Sequence, residues 1–211
     1  MVARGEVDGA PDARGRKPSR KRQTRRAQVL EVAARMFHER GYQTTTTQEI
    51  GAELGLLKGS IYYYISSKED LLFELIEQYH EETRGYFEAI VGSDRPPVAK
   101  IRELIITSTA HTARHLSRSS LFYTEWRALS EERQQVILAE RERHEKALIS
   151  WIAQAQADGD VRADVDPKLT ALAIFGMVNS VYRWFRPDGR RSAEEVGEAF
   201  CALAVDGLLV H

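Results

Sequence analysis

The sequence predicts an all-α protein, and three observations support this prediction. Apolar residues recur every three or four positions in most segments after residue 19, which is the spacing of a buried helix face. Capping residues, glycines and prolines separate these segments, as they do at helix ends. No stretch alternates between apolar and polar residues over a useful length, so no strand is predicted. We therefore expect about nine helices.

The first of these helices follows a segment of different composition. Residues 1–18 combine Gly, Pro, Asp and Arg with few large apolar side chains, which predicts a disordered basic tail. After the tail, Ala27, Leu30 and Phe37 fall on one face of a helix, and Gly41 ends it.

Two short helices joined by a tight turn are predicted next. Thr46-Thr47-Gln48-Glu49 is a capping box that opens the first of them, which ends near Gly55. The second covers about residues 58–64, and Ser66-Ser67-Lys68-Glu69 then opens a long helix that runs towards Val91. Two short helices with a glycine turn between them are typical of a helix-turn-helix, which we place in residues 19–66.

A second domain is predicted over residues 67–211. The clearest break in the chain is the polar, proline-containing stretch Gly92-Ser93-Asp94-Arg95-Pro96-Pro97. Beyond it, periodic apolar segments predict helices at residues 98–116, 119–128, 131–157, 167–186 and 192–210.

Positive charge is concentrated at the N-terminal end. The whole chain has 30 Lys and Arg against 31 Asp and Glu, whereas residues 1–70 hold 13 basic and 9 acidic residues. Eight basic residues and no acidic residue lie between Arg14 and Arg26. This end of the chain is predicted to meet a polyanion, while the formal net charge of -1 argues against a protein that coats nucleic acid non-specifically.

The predicted helix-turn-helix carries groups that suit DNA. Lys58 can reach base-edge acceptors or phosphates, and Gly59 lets the backbone approach closely. Tyrosine hydroxyls donate to phosphate oxygens, and the threonines and free N–H groups of a helix start form a phosphate site. The predicted DNA-binding residues are Arg20, Arg22, Arg25, Thr45, Thr46, Thr47, Lys58, Gly59, Ser60, Tyr63, Tyr64 and Lys68. A run of tyrosines alone is more often core, so the prediction depends on its combination with the basic arm.

The remaining composition predicts a cytoplasmic protein that is not an enzyme. Cys201 is the only cysteine, so a reducing compartment is expected. The longest apolar stretch, residues 169–178, is much shorter than the ~20 residues of a membrane span, and acidic residues near the N-terminus do not fit a signal peptide. No nucleophile–base motif or glycine-rich phosphate loop is present, and no cofactor is predicted.

One histidine pair has a spacing that occurs in metal sites. His111 and His115 lie one helical turn apart and could supply two ligands. No third ligand has an obvious spacing in the sequence, so no metal site is predicted.

The segment from Thr46 to Leu72 resembles the DNA-binding signature of the tetracycline-repressor (TetR) family. The resemblance lies in the threonine-rich start, in Lys58-Gly59-Ser60-Ile61-Tyr62, and in Ser67-Lys68-Glu69-Asp70-Leu71-Leu72. It extends over about residues 22–75. Three positions depart from the family pattern: Gly51 replaces alanine, Ile65 replaces phenylalanine, and Leu57 replaces a serine that commonly caps the recognition helix.

The resemblance implies that residues from about 67 onward bind an effector and form a homodimer through the last two helices. The sequence offers two stripes of small and apolar residues there, although the same stripes would suit an intrachain core. They are Leu169, Leu172, Ala173, Gly176 and Ser180 on the penultimate helix, and Val196, Phe200, Leu203, Gly207 and Val210 on the last.

Aromatic and apolar residues of this second domain are the candidates for an effector site. The candidates are Phe87, Ile105, Thr109, His115, Phe122, Tyr123, Trp126, Trp151, Phe175, Asn179, Tyr182 and Arg183. Asn179 is singled out because a buried amide must find hydrogen-bond partners, and its alternative role is an interhelical or intersubunit hydrogen bond.

Residues 177–189 resemble the same region of a TetR branch that senses acyl-CoA thioesters. In that interpretation Arg183 and Arg186 hold the CoA phosphates while an apolar channel takes the acyl chain. The resemblance thus implies a repressor of catabolic genes, bound to a palindromic operator as a dimer and released by an acyl-CoA. The alternative is a repressor of an efflux or stress operon that responds to a generic hydrophobic molecule, with Arg183 in a structural ion pair.

Overall fold

The structure is a computed structural model that describes residues 20–209. The predicted tail at residues 1–18, and Val210 of the last helix, lie outside the described residues. The all-α prediction is confirmed: residues 20–209 form eight α-helices and three short 3-10 helices, and their one β-type pairing is an isolated bridge between Val161 and Leu209. The chain divides into two compact units between Leu72 and Phe73, six residues beyond the predicted domain boundary.

The first unit is built from α1 (Arg20–Arg40), α2 (Thr47–Glu53), a 3-10 helix (Ser60–Tyr63) and the start of α3 (Lys68–Val91). Its elements enclose a small apolar core. The core residues include Val29, Ala33, Met36, Phe37, Ile50, Ile61, Leu71 and Leu72. The ring of Phe37 also meets the edge of Tyr42, with centroids 5.1 Å apart.

The turn between α2 and the 3-10 helix follows the predicted signals. Thr46 accepts a hydrogen bond from the Glu49 amide and Glu49 accepts one from the Thr46 amide, so the predicted capping box is confirmed. At the other end, Gly55 has a φ of 65°, Gly55 N–H donates to the Ala52 carbonyl, and Leu56 N–H donates to the Gly51 carbonyl. These two bonds form a Schellman cap, which requires the left-handed backbone that glycine provides.

The predicted helix at residues 58–64 differs from the structure. Only Ser60–Tyr63 is helical, and it forms a 3-10 helix. Gly59 has a φ of 84°, which is outside the right-handed helical region, so the helix cannot begin before Ser60. Lys58 therefore lies on the turn that precedes the helix and not within it.

The second unit contains most of α3 and five further α-helices: α4 (Pro97–Arg114), α5 (Leu116–Thr124), α6 (Glu131–Ala157), α7 (Pro167–Trp184) and α8 (Ala193–Ala204). Two more 3-10 helices cover Trp126–Ala128 and Asp206–Leu208. α4 packs against α6, α7 and α8. Gly197 of α8 marks a close approach, because a Cβ there would lie 3.1 Å from the Cα of Ile106 on α4.

Two predicted boundaries in this unit are wrong. α4 ends at Arg114 and α5 begins at Leu116, because the backbone of His115 (φ -125°, ψ 44°) leaves the helical region. The last helix ends at Ala204 and not near residue 210. Beyond it the chain pairs with the loop before α7, where the Arg162 amide donates to the Leu208 carbonyl at 2.9 Å.

Three histidines lie among apolar side chains of the second unit. His80 and His111 are almost fully buried, and the ring of His144 packs on Phe87 with centroids 3.9 Å apart. Burial disfavours the charged imidazolium, so it lowers the pKa of each of these histidines to about 4. Each is therefore neutral at pH 7.

These histidines predict a loss of stability in mild acid. An unfolded histidine has a pKa near 6.5, so between about pH 6.5 and 4 the unfolded chain binds more protons than the folded protein. The free energy of unfolding should therefore fall as the pH decreases through this window, by at most about 1.4 kcal/mol per pH unit for each histidine. Urea titrations at pH 7, 6 and 5 measure it. His144→Gln should flatten the dependence, and equal stability at pH 7 and 5 would contradict the account.

Within residues 20–209, no helix is both long and apolar enough to cross a membrane.

Cys201 is buried at the end of α8, and burial raises the pKa of its thiol. The reactive thiolate is therefore disfavoured there.

Candidate nucleic-acid interface and effector cavity

The turn and 3-10 helix of the first unit present an exposed surface. We call residues 57–63 the reading segment. Ile61 is buried against Gly51 of α2, and this contact fixes the segment on the unit. Leu57, Tyr62 and Tyr63 are 82%, 54% and 63% exposed, and Lys58 and Gly59 are exposed beside them. A cation, two phenols and an apolar side chain thus face outwards from one short stretch.

Two contacts orient the tyrosines of this region. The Tyr62 hydroxyl lies 3.0 Å from Oγ1 of Thr47, which ties the reading segment to the start of α2. The rings of Tyr63 and Tyr64 meet edge to face, with centroids 5.2 Å apart. Tyr64 and Ser60 are both half-buried. Tyr63 is therefore the more available of the two tyrosines that the sequence predicted for DNA contact.

The predicted arginines of α1 make internal contacts as well. Arg22 donates to the Tyr63 carbonyl at 3.3 Å, and its guanidinium lies 4.8 Å from the centre of the Tyr63 ring. Arg25 donates to the Leu54 carbonyl at 2.7 Å, and Arg26 donates to the Tyr64 carbonyl at 3.3 Å. These bonds hold α1 against the helix-turn-helix and keep positive charge next to the reading segment. Arg20 is exposed at the start of α1.

The side chains predicted for phosphate contact at the two helix starts make internal contacts. Thr45 is buried, and its hydroxyl donates to the Gly41 carbonyl, so that hydroxyl does not face solvent. The hydroxyl of Thr46 is engaged with Glu49, and that of Thr47 with Tyr62. Lys68 donates to the Gln43 carbonyl at 3.2 Å and lies over the Tyr42 ring. Internal hydrogen bonds thus engage these hydroxyl and ammonium groups, and the sequence motif alone does not reveal those bonds.

A cavity of about 230 Å³ lies inside the second unit. Side chains from α3 to α7 line it, and nine of the fifteen are polar or carry a polar tip. The lining residues are Tyr79, Thr83, Tyr86, Phe87, Leu104, Ser108, Phe122, Tyr123, Arg141, His144, Glu145, Leu172, Phe175, Val178 and Asn179. A partly open cavity of this kind, with a few placed polar groups, is typical of a small-molecule site.

The cavity includes some of the predicted effector residues and leaves others out. Phe87, Phe122, Tyr123, Phe175 and Asn179 line it. The candidates that do not line it are Ile105, Thr109, His115, Trp126, Trp151, Tyr182 and Arg183.

The excluded residues have other environments. Ile105 and Thr109 are fully buried on α4, where they belong to its packing against the other helices. Trp151 packs on the edge of the same core. Tyr182 stacks on Tyr123 at 5.4 Å, one layer away from the cavity, and the exposed Arg183 donates to the Tyr182 hydroxyl at 2.9 Å. Helical spacing does not distinguish these positions from lining ones.

Several polar lining residues were missed by the sequence reasoning. The Tyr79 hydroxyl lies 3.1 Å from Oγ1 of Thr112, and the Tyr86 hydroxyl donates to Ser108 at 3.1 Å. Burial raises the pKa of both tyrosines.

Arg141 lines the cavity from α6. The many charged residues of α6 suggest an exposed helix. The sequence signal that could have found Arg141 is its spacing, four residues after Ile137 and seven before Leu148, which are both buried on α6.

The histidine pair of α4 gains a third neighbour from α3. Oε2 of Glu82 lies 3.3 Å from Nε2 of His115 and 3.9 Å from Nδ1 of His111, a grouping that could hold a metal ion. Arg118 already bonds to Oε1 of Glu82 at 3.0 Å and to Nδ1 of His115 at 2.7 Å. A guanidinium thus supplies the positive charge at this point, and we interpret the cluster as an ion-pair network.

The last two α-helices leave apolar side chains exposed. On α7 these are Leu169, which is 67% exposed, together with Leu172, Ala173 and Gly176; on α8 the largest is Leu203, at 72%. Val196 of the predicted stripe is instead buried within the chain. Uncovered leucines on adjacent helices indicate a surface that a partner would cover.

A helix-turn-helix unit and a helical unit with an internal cavity are together the parts of a one-component transcription regulator. Comparisons with known proteins agree. The family described as tetracyclin repressor-like, C-terminal domain, matches residues 94–208, and that of bacterial regulatory proteins, tetR family, matches residues 29–75. The chain belongs to the TetR family of transcriptional regulators.

Individual relatives cover nearly the whole chain. The transcriptional repressor KstR2 of Mycolicibacterium smegmatis is 28% identical over 186 residues, which are 88% of this chain and 91% of that protein. The structure of the ketosteroid regulator KstR2 of Mycobacterium tuberculosis matches with a TM-score of 0.83 at 28% identity, over 89% of this chain and 96% of that one. AibR in complex with isovaleryl coenzyme A and operator DNA matches with a TM-score of 0.75 at 28% identity, over 85% of this chain and 97% of that one. These relatives are transcriptional regulators and not enzymes.

Proposed function

We propose that this protein is a repressor that binds a palindromic operator as a homodimer and leaves it when an acyl-CoA binds. The observation that carries the proposal is the pairing of an exposed reading segment in one unit with a polar-lined cavity in the other. The likeness to AibR, solved with an acyl-CoA and operator DNA, supports the choice of effector.

Operator binding is assigned to the reading segment and its basic surroundings. Lys58 and Tyr63 are exposed, and Gly59 carries no side chain that would hold the backbone away from a groove. Lys58 serves base edges or phosphates, and Tyr63 donates to phosphate. The arginines of α1 and the basic residues from Arg14 onward add charge that neutralises further phosphates.

Dimerisation is assigned to the exposed apolar residues of α7 and α8. Leu169 and Leu203 are more than half exposed in the single chain, and small residues such as Gly176 let helices approach closely. Each subunit carries one reading segment, so a two-fold dimer would read an inverted repeat.

The effector proposal combines the cavity with the arginines that end α7. Arg183 and Arg186 are both exposed, so they can meet CoA phosphates in solvent, while the acyl group would enter the cavity. The cavity volume of about 230 Å³ lies below the roughly 300–1,000 Å³ of typical ligand sites, which fits an acyl group and excludes the whole thioester. A generic hydrophobic effector would use the cavity without these arginines.

An operator-release titration separates the two effector classes. Ligand releases DNA only to the extent that it prefers the conformation that does not bind operator. Isovaleryl-CoA and other acyl-CoAs should release a labelled operator, and the corresponding free acids should not. Arg183→Ala should weaken the response to thioester and leave operator affinity without ligand nearly unchanged, whereas Arg95→Ala, at an exposed site before α4, should alter neither. Release by free acids alone would assign the effector to the generic hydrophobic class.

A further inference from the structure

Arg141 is a partly buried cation without a carboxylate partner. Its guanidinium lies 4.7 Å from the centre of the Phe122 ring and 4.8 Å from that of Trp126, and one nitrogen donates to the Phe122 carbonyl at 2.7 Å. Among residues 20–209 no carboxylate oxygen lies within 4.0 Å of it. Burial lowers its pKa from the usual value of arginine, but a guanidinium stays charged in proteins.

Two further polar groups in the same cavity lack partners. Nε2 of His144 is buried and makes no hydrogen bond with the described residues. The side chain of Asn179, which is only half-buried, makes none with them either. Because an unpaired polar atom is costly to bury, the buried Nε2 of His144 beside the unpaired charge of Arg141 indicates a place that a polar ligand group would complete. All three groups, Arg141, His144 and Asn179, line the space that the acyl group would enter.

The arrangement suits an anionic oxygen group better than a saturated chain. A guanidinium has five N–H donors in a planar fork, and Arg141 uses one of them on Phe122. The remaining donors match a carboxylate, which binds arginine through two parallel hydrogen bonds. A methyl group at this place would leave the buried charge uncompensated, at a cost that lowers affinity.

We infer that the part of the effector that enters the cavity carries a carboxylate, which Arg141 holds. This inference deepens the proposed function and rests on it in one respect: the other end of the same molecule is the thioester. The effector class is then the CoA monoester of a dicarboxylic acid, with its apolar middle against Phe87 and Phe175 and its free carboxylate at Arg141.

Glu145 is the one other charged residue of the cavity lining, and it bears on this inference. It lies one helical turn beyond Arg141 on α6, so its own negative charge opposes a carboxylate ligand. Removing that charge should therefore strengthen carboxylate binding, whereas it would do nothing for an alkyl chain. Glu145→Gln thus provides a second variant whose effect has the opposite sign to that of Arg141→Gln.

The test compares two thioesters of equal chain length, adipoyl-CoA and hexanoyl-CoA, which differ by a terminal carboxylate in place of a methyl group. Affinity for the full chain is measured by calorimetry without DNA, so that binding is separated from operator release. The wild-type protein should bind adipoyl-CoA about 10- to 100-fold more tightly than hexanoyl-CoA, as expected for hydrogen bonds to a charged group. Arg141→Gln should abolish this preference, because adipoyl-CoA loses its partner and hexanoyl-CoA no longer leaves a buried charge uncompensated, and Glu145→Gln should increase the preference. Arg183→Gln should weaken both thioesters equally.

Three outcomes would decide against the inference or against the proposed function. Equal or tighter binding of hexanoyl-CoA to the wild-type protein overturns the inference while leaving the acyl-CoA effector in place. A preference for adipoyl-CoA that survives in Arg141→Gln also overturns it. If neither thioester binds, the acyl-CoA function is wrong. The carboxylate inference is then tested by comparing the affinity for 3-phenylpropionate with the affinity for its neutral amide. A preference for the acid that Arg141→Gln removes supports it, and any other result overturns it.

Discussion

Replacing Leu203 by glutamate is expected to convert the proposed dimer to a monomer and to lower its operator affinity by about 100-fold or more. Leu203 is 72% exposed on α8, and Leu169 and Leu172 of α7 are exposed as well. In a dimer this side chain would be buried, and a carboxylate buried without a partner costs several kcal/mol. A monomer retains one reading segment and loses half of the contacts with DNA, so its affinity should fall accordingly.

Light scattering after gel filtration and fluorescence anisotropy with labelled operator measure the two effects. Val136→Glu is a matched control, because Val136 is 43% exposed on α6, outside the proposed interface. The control should remain dimeric and keep its affinity. A Leu203→Glu variant that stays dimeric, or two variants that behave alike, would remove α8 from the interface.

Deleting residues 1–18 is expected to flatten the salt dependence of operator binding. The segment contains Arg14, Arg16 and Lys17, three of the eight clustered basic residues. Each phosphate that these residues neutralise adds about 0.9 to the slope of log affinity against log salt concentration, so the slope should decrease by roughly 3. Between 50 and 200 mM salt, the affinity of the full-length protein should therefore drop further than that of the deletion variant, by a factor on the order of tens.

Anisotropy titrations at several salt concentrations give the slope directly. The segment also holds Glu6, Asp8 and Asp12, so a full-length variant with these three residues changed to Gln or Asn separates loss of basic residues from a change in net charge. That variant should keep the wild-type slope or steepen it. An unchanged slope after deletion would mean that the tail makes no contact with DNA.

The sequence predicted the fold most accurately where a local rule determines the backbone. The capping box at Thr46 and the glycine turn at Gly55 depend on side chains a few residues apart, and both are present as expected. The helix predicted at residues 58–64 begins too early. Gly59 was interpreted only as a contact residue, whereas its left-handed backbone prevents the helix from beginning before Ser60.

The cavity was predicted less well because it depends on contacts between distant segments. Phe87, Phe122 and Phe175 were found as large aromatic residues, but the same criterion selected Trp126 and Trp151, which lie outside the lining. Arg141 was missed because its charge suggested an exposed position, although it lies on the same face of α6 as the buried Ile137 and Leu148.

The histidine cluster shows the same limit. Its two histidines are four residues apart, His111 in the last turn of α4 and His115 just after it, and that spacing is visible in the sequence. Glu82 comes from α3 and completes the group only after the two helices have packed, while Arg118 comes from α5. The sequence therefore identified half of the cluster and missed the two charges that define its role.

The central claim, that a dimer reads DNA through one segment in each subunit, is tested most directly by selecting bound fragments from the source genome and footprinting the best of them. The account predicts an inverted repeat whose half-sites are about 34–36 Å apart, or a multiple of that distance, protected by two subunits. Selection with Lys58→Ala should change the preferred bases, and Tyr63→Phe should weaken all sites alike. A single asymmetric site protected by one subunit, or no enriched sequence, would contradict the account.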